Sequence, residues 1–447
     1  MVEHTPELPG LSPVSGKRVV ARFDGGEMSS DGGVLVLREI EERIGFADRL
    51  AGCLNDTRDP KRSDHKMASI LRFRMLMIAA GYEDGNDATS LRHDPVFKMA
   101  TERLPSEPDL CSQPTISRME NAPDVRALLR MADALVEQYT GSFTKVPKRI
   151  VLDVDDTFDA VHGHQQLRLF NAHYDDYGFQ PILVFDDAGR LVAAMIRPAK
   201  RPNGRQVRAF LRRLIRRIRS IWPRVEILVR GDSHYACPEA MAYCEANKVD
   251  YIFGLATTST LRRHVETLEA STAERFAAGD GGKVRRCKEF YDAAASWNRA
   301  RRIIARVEVG PQGADTRFIV TSLEKGKPRS LYEDVYCRRG QAENHIKAFK
   351  THLAADRTSC SRATANQMRL FLHAAAYWLL WTLRTLAPKR SQWRKAQFDT
   401  IRLRLLKVAA KVTEYATRVV VQLPSAYPDQ AIARLLGAKI PQLTAPP

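Results

Sequence analysis

Along the first third of the chain, apolar residues recur at helical spacing. Val34, Leu37, Ile40 and Ile44 share one face, a second apolar-periodic stretch covers residues 66–80, and a turn cluster at 81–87 separates it from a third at 88–100. Ser112, Pro114, Thr115, Ser117 and Arg118 open a short helix that suits a DNA groove and an ordinary capped surface equally well. The next helix, residues 124–139, turns Leu128, Met131, Leu135 and Val136 inward. The pattern predicts a mostly helical DNA-binding domain over residues 1–145, its first 27 residues an extended lead-in rich in proline and glycine.

The period changes at Arg149. Residues 150–157 are rich in β-branched side chains and end in carboxylates; 167–171, 181–185 and 191–196 read as further strands. Residues 203–222 form a helix with Val207, Phe210, Leu214, Ile218 and Ile221 on its core side. Strands at 224–230 and 250–255 then flank a helix at 237–248. A meander followed by βαβ crossovers predicts an α/β fold, a ribonuclease-H-like mixed sheet, for a catalytic domain over residues 146–386. Strands at 303–309 and 317–323 are expected in a mainly β insertion at about 256–330. Residues 363–386 read as an apolar helix at the back of this domain, and 397–413 as a basic helix in a helical C-terminal region, residues 387–447.

Charge changes the picture next. The net charge of +18 and a pI near 9.7 point to a polyanionic partner, with double-stranded DNA foremost. The helix at 203–222 carries Arg205, Arg208, Arg212, Arg213, Arg216, Arg217 and Arg219 without an acidic residue. Charge runs are usually solvated faces, but an all-arginine run of one sign favours phosphate contact, with Arg212 and Arg216 the chosen residues. Trp297, among Arg299, Arg301 and Arg302, fits a core position on a hairpin and also a platform for an unpaired base. Seven scattered cysteines form no C-x-x-C pair, so reduced thiols are expected and a zinc knuckle is not. No signal peptide or membrane span is expected, which places the protein in the cytoplasm, on the nucleoid.

The stretch from Tyr336 to Lys350 is where chemistry first shows. On an ideal helix, Arg339, Glu343 and Lys350 lie at roughly 300°, 340° and 320° from Tyr336, on one narrow face. A surface Arg339–Glu343 pair would account for two of them. A carboxylate between an arginine and a lysine also suits a site that holds a metal ion and phosphates. Two-metal phosphoryl transfer needs hard oxygen ligands converging from separate elements, and Asp155 and Asp232 stand at strand ends where such ligands gather. Asp153 and Asp155 share a face of their strand, so spacing does not choose between them; Asp156 faces the other way.

These pieces together resemble the DDE-class transposases of bacterial insertion sequences. The signature Tyr-x2-Arg-x3-Glu-x6-Lys is met at Tyr336, Arg339, Glu343 and Lys350, the strand 152–157 looks like the first-aspartate motif, and 229–233 like the second. Asp84-Gly85-Asn86-Asp87, Asp94-Pro95 and His162-Gly163 are most similar to the insertion-sequence group numbered thirteen-eighty. The resemblance runs through nearly the whole chain. It implies cut-and-paste transposition with two Mg²⁺ ions, Mn²⁺ as a substitute, held by Asp155, Asp232 and Glu343. The family's Asp-x-Thr/Ser pattern favours Asp155 over Asp153, with Thr157 in place. Arg339 and Lys350 would hold phosphates with Tyr336 beside them, and a homodimer would bring terminal inverted repeats and target DNA together. An inactive or domesticated DNA-binding protein and a structure-selective nuclease are the alternatives on the same fold.

Overall fold

The computed structural model describes residues 6–443. The chain clusters into two units, one built from the residues up to Ala122 together with those from Ala375, the other from Pro123–Ala374.

In the first unit, the helices Val34–Ile44, Phe46–Gly52, Met67–Ala80, Pro95–Ala100 and Gln113–Asn121 follow the apolar spacing of the sequence. Met67–Ala80 is buried nearly all round, and its Arg74, fully buried, is matched by Glu120 at 3.1 Å and the carbonyls of Tyr82 and Glu83. The short strand β1 (Met28–Ser29) pairs with β13 (Ala410–Tyr415), which forms a hairpin with β14 (Arg418–Gln422). The expected basic helix at 397–413 therefore stops at Leu406. The β-branched alternation of Val412, Thr413 and Val419–Val421 makes a hairpin once β1 supplies a third strand. A Cβ at Gly33 would stand 1.8 Å from the Leu405 carbonyl oxygen, so this contact admits glycine alone. Asp31 receives Lys407 at 2.7 Å and the Tyr82 hydroxyl at 2.8 Å. These cross-chain contacts draw the units differently from the sequence-based domains, which set residues 387–447 apart. The outer ends of those domains, residues 1–5 and 444–447, lie outside the described residues.

The second unit is mixed α/β around one large sheet. Its strands are β2 (Arg149–Asp156), β6 (Ile182–Asp186), β7 (Leu191–Met195), β8 (Glu226–Gly231), β9 (Asp250–Leu255), β10 (Val284–Asp292), β11 (Arg301–Gly310) and β12 (Gly313–Thr321). The order is β10-β11-β12-β9-β8-β2-β6-β7, with β2, β8 and β9 parallel and the other pairs antiparallel. A small sheet of β3 (Asp159–Ala160), β4 (Leu169–Asn171) and β5 (Asp176–Phe179) follows the first central strand. The strands expected in an insertion extend the main sheet through β12 and β9, and the insertion also holds the helix Glu266–Ala277. Central strands such as β6, buried at every position, read as unbroken apolar runs because both faces are covered.

The helices Gly204–Ile221 and Pro238–Ala246 connect the strands as crossovers. Asn203 and Gln206 cap the first reciprocally. Its buried stripe is Val207, Leu211, Leu214, Ile215 and Ile218, whereas Phe210 is half-buried and Ile221 exposed, a rotation of the expected core face. On the other side, Leu331 and Tyr332 close a core with Leu228, Ile252, Ile304 and Ile319. No helix among the described residues is long and apolar enough to cross a membrane.

Candidate functional site

Strand pairing places the acidic groups. Asp153 lies opposite Arg230, and Val154 opposite Gly231, so Asp155 and Asp156 end β2 beside Asp232, which follows β8 directly. Alternation sends Asp153 and Asp155 to the sheet face covered by the residues leading to Glu343.

Residues 328–352 form one continuous helical run, but not a uniform one. Leu331–Tyr336 is π-helical, Cys337–Arg339 is 3-10, Gly340–Lys347 is α-helical and Ala348–His352 is π-helical again. The ideal 100° spacing assumed for the signature therefore does not hold through the run. Short π segments inside helices frequently mark functional sites.

Asp153 is occupied. Arg230 donates to both its oxygens at 2.6 Å and to the Val335 carbonyl at 2.8 Å, tying β2, β8 and the helical run together. Asp155 accepts from the Asp156 amide at 3.1 Å and has a single guanidinium edge beside it, Arg339 Nη2 at 3.4 Å. Burial pushes the Asp155 carboxyl up to about 7; Arg339 opposes this, while Asp232 and Asp156 add to it. Glu343 lines the same open cleft of about 400 Å³ as Asp155, Asp156, Thr157 and Lys350.

Asp156 turns to the other side of the strand end. Its Oδ1 is 3.4 Å from His234 Nδ1, and Gln180 donates to its Oδ2 at 2.9 Å. His234 Nδ1 is 3.8 Å from Asp232 Oδ2, so Asp156, Asp232 and His234 offer ligand atoms within 4.8 Å of one another. The Asp156 carboxylate beside it raises the His234 pKa against burial. Sequence reasoning passed over His234; the signal was a histidine two residues after a strand-end aspartate. It also passed over Asp159, buried beneath Lys350 and pushed up to about 7 by that burial.

Lys350 Nζ reaches Asp159 Oδ1 at 3.0 Å, Thr157 Oγ1 at 3.2 Å and the Phe158 carbonyl, so it clamps the loop that leaves β2. Tyr336 packs edge-on against Tyr332, and a Cβ at Gly254 would stand 2.6 Å from its hydroxyl. Burial raises its pKa against the pull of Arg339.

The donor set fits a hard divalent cation. Asp155 is buried at a strand end where Asp232 and Asp156 add like charge and Arg339 alone among the side chains opposes it, and a cation among them would offset both the burial and the repulsion that raise its pKa. The other sequence-predicted residues lie elsewhere. Arg212 and Arg216 are exposed on Gly204–Ile221. Trp297 is half-buried in the turn before β11, with Arg301 over its ring at 5.2 Å. That turn precedes Arg302, which the strand register sets level with Asp153, so Trp297 lies toward the starts of the parallel strands, away from the carboxylate edge. Arg118 is exposed on Gln113–Asn121 in the other unit, bonded to Thr115 at 3.1 Å.

Comparison with protein families matches residues 11–445 to the model described as transposase DDE domain, group 1. Among solved structures, the chain is similar to a piggyBac transposase, seen by cryo-EM in a synaptic complex with hairpin DNA. The two share 10% identity over 84% of this chain and 80% of that one, with a TM-score of 0.44. No curated protein matches the chain.

Proposed function

The chain belongs to the transposase DDE domain family, group 1, and from that premise we propose that it cuts the ends of a mobile element and joins them to target DNA, in the manner of the insertion-sequence group numbered thirteen-eighty. The observation that carries this is the meeting of Asp155 and Asp156 with Asp232 at one strand edge, with Glu343 lining the same cleft as the first two. In this reading the second unit is a ribonuclease-H-like catalytic body, and the helical first unit contributes to DNA binding with Arg118 at its surface.

Asp155, Asp232 and Glu343 hold two Mg²⁺ ions, or Mn²⁺ in their place. Polarisation of the scissile phosphate and a lowered pKa for the attacking water are the chemistry that bound cations supply there. Arg230 takes both oxygens of Asp153, which supports Asp155 as the first ligand. Arg339, 3.4 Å from Asp155, is close enough to the carboxylates to take a phosphate oxygen beside them. Lys350 holds Thr157 and Asp159 in place, so its charge reaches the phosphate from behind the loop. Tyr336 packs against Tyr332 at the head of the run that carries Arg339. Homodimers on double-stranded DNA are the working assembly, in the cytoplasm on the nucleoid.

Asp232→Asn and Glu343→Gln should each reduce Mg²⁺-dependent cleavage of element-end DNA by at least about 10³-fold, while DNA binding persists. Cleavage undiminished in both variants would falsify the assignment. Strand-transfer products on a target plasmid distinguish a transposase from a nuclease that only cuts.

A further inference from the structure

The arginines of Gly204–Ile221 fall into two sets. Arg213 pairs with Asp133 at 2.8 Å, Arg217 with Glu137, and Arg219 with the carbonyls of Asn247 and Lys248. These three hold neighbouring elements together. Arg205, Arg208, Arg212 and Arg216 are exposed, and none makes a side-chain ion pair or hydrogen bond among the described residues.

The spacing of the second set is i, i+3, i+7, i+11, which confines it to roughly 80° of arc and spreads it over about 16 Å of helix. That length is about five base-pair steps of duplex along one strand. Four unpaired guanidiniums in a row also repel one another and gain nothing for the fold.

The stripe has a definite start. β7 runs in the same direction as β2, through the antiparallel pairs β2–β6 and β6–β7, so it ends at the carboxylate edge. The helix begins there: Arg201, just ahead of it, donates to the carbonyl of Ser233 at 3.0 Å, the residue after Asp232. From that edge the four arginines lead away along the helix.

We propose that Arg205, Arg208, Arg212 and Arg216 form a track for the backbone of the DNA duplex that leaves the site, binding consecutive phosphates without reading sequence. This rests on the functional reading above and adds to it a path for the DNA. Guanidinium suits the task through bidentate contact with phosphate oxygens.

The test uses the full chain and a fluorescent duplex of about 40 base pairs and arbitrary sequence, with affinity read by anisotropy across a salt series. Replacing the four by serine should weaken binding roughly tenfold or more at low salt and flatten the plot of log K against log salt by about 3 to 4. A charge-matched control replaces Arg126, Arg224, Arg263 and Arg275, which are exposed and lie off the stripe. It should shift the slope by less than about 1. Circular dichroism and thermal melting check that both variants fold. An unchanged slope in the stripe variant overturns the track, as does an equal loss in the control, which would make net charge the whole effect. A wild-type chain that binds duplex but never cuts element ends with Mg²⁺ or Mn²⁺ defeats the functional reading and leaves the track standing.

Discussion

Asp153 and Asp155 differ by two positions on one strand face, yet their surroundings give them opposite work. Asp153 is neutralised by a two-pronged guanidinium, and cutting that pair leaves a buried charge on either side. Arg230→Ala should therefore cost about 3–5 kcal/mol in urea unfolding, and a loss below about 1 kcal/mol would show the pair to be ornamental. In the first unit, Glu41 is a buried acid of another kind. It accepts from the Ala47 amide at 2.8 Å, its other oxygen has no hydrogen-bond partner among the described residues, and Arg72 Nε is 3.9 Å away. Burial raises its pKa to about 7. The folded state thus binds the proton more tightly than the unfolded chain, so its stabilising contribution is full below the unfolded value and is lost as pH rises through about 7. Glu41→Gln should flatten that loss, raising the melting temperature at pH 8 relative to wild type more than at pH 5. Equal shifts at both would contradict the raised pKa.

At the scale of elements, the sequence disclosed which strands end in aspartate and which helix carries Glu343, because period and turn chemistry are local. It did not disclose partners. Asp153 and Asp155 look alike in a period-2 pattern, and only the register of β2 on β8 sets Arg230 beside the first. Nor does a helical pattern show a change of hydrogen-bonding register, so the π segments around Glu343 were invisible, as was the switch to strand at Ala410 that β1 stabilises. Close backbone approach is equally silent. Gly33 has an ordinary helical backbone, so Gly33→Ala is strained by the close backbone of Leu405 and Leu406 rather than by its own φ, and it should cost about 1–3 kcal/mol or more. Chemical denaturation reads the loss, and a Gly52→Ala control, where a Cβ meets nothing within 4 Å, should show none.

At the scale of the whole molecule, a net charge of +18 makes association with DNA strongly salt-dependent whatever the sequence bound. Two stripes of one helix divide this charge: arginines facing Asp133 and Glu137 serve the fold, and the outward four, exposed and unpaired among the described residues, are those proposed for the duplex track. The division of the chain carries one more consequence, in the order of synthesis. β1, Gly33 and Asp31 leave the ribosome early, but β13, Leu405 and Lys407 emerge near the end. The second unit is contiguous in sequence and can close while the chain is still being made, whereas the first must wait with its apolar helices unsealed. Limited proteolysis of stalled nascent chains should find residues 123–374 protected before residues 6–122, the early helices gaining protection last.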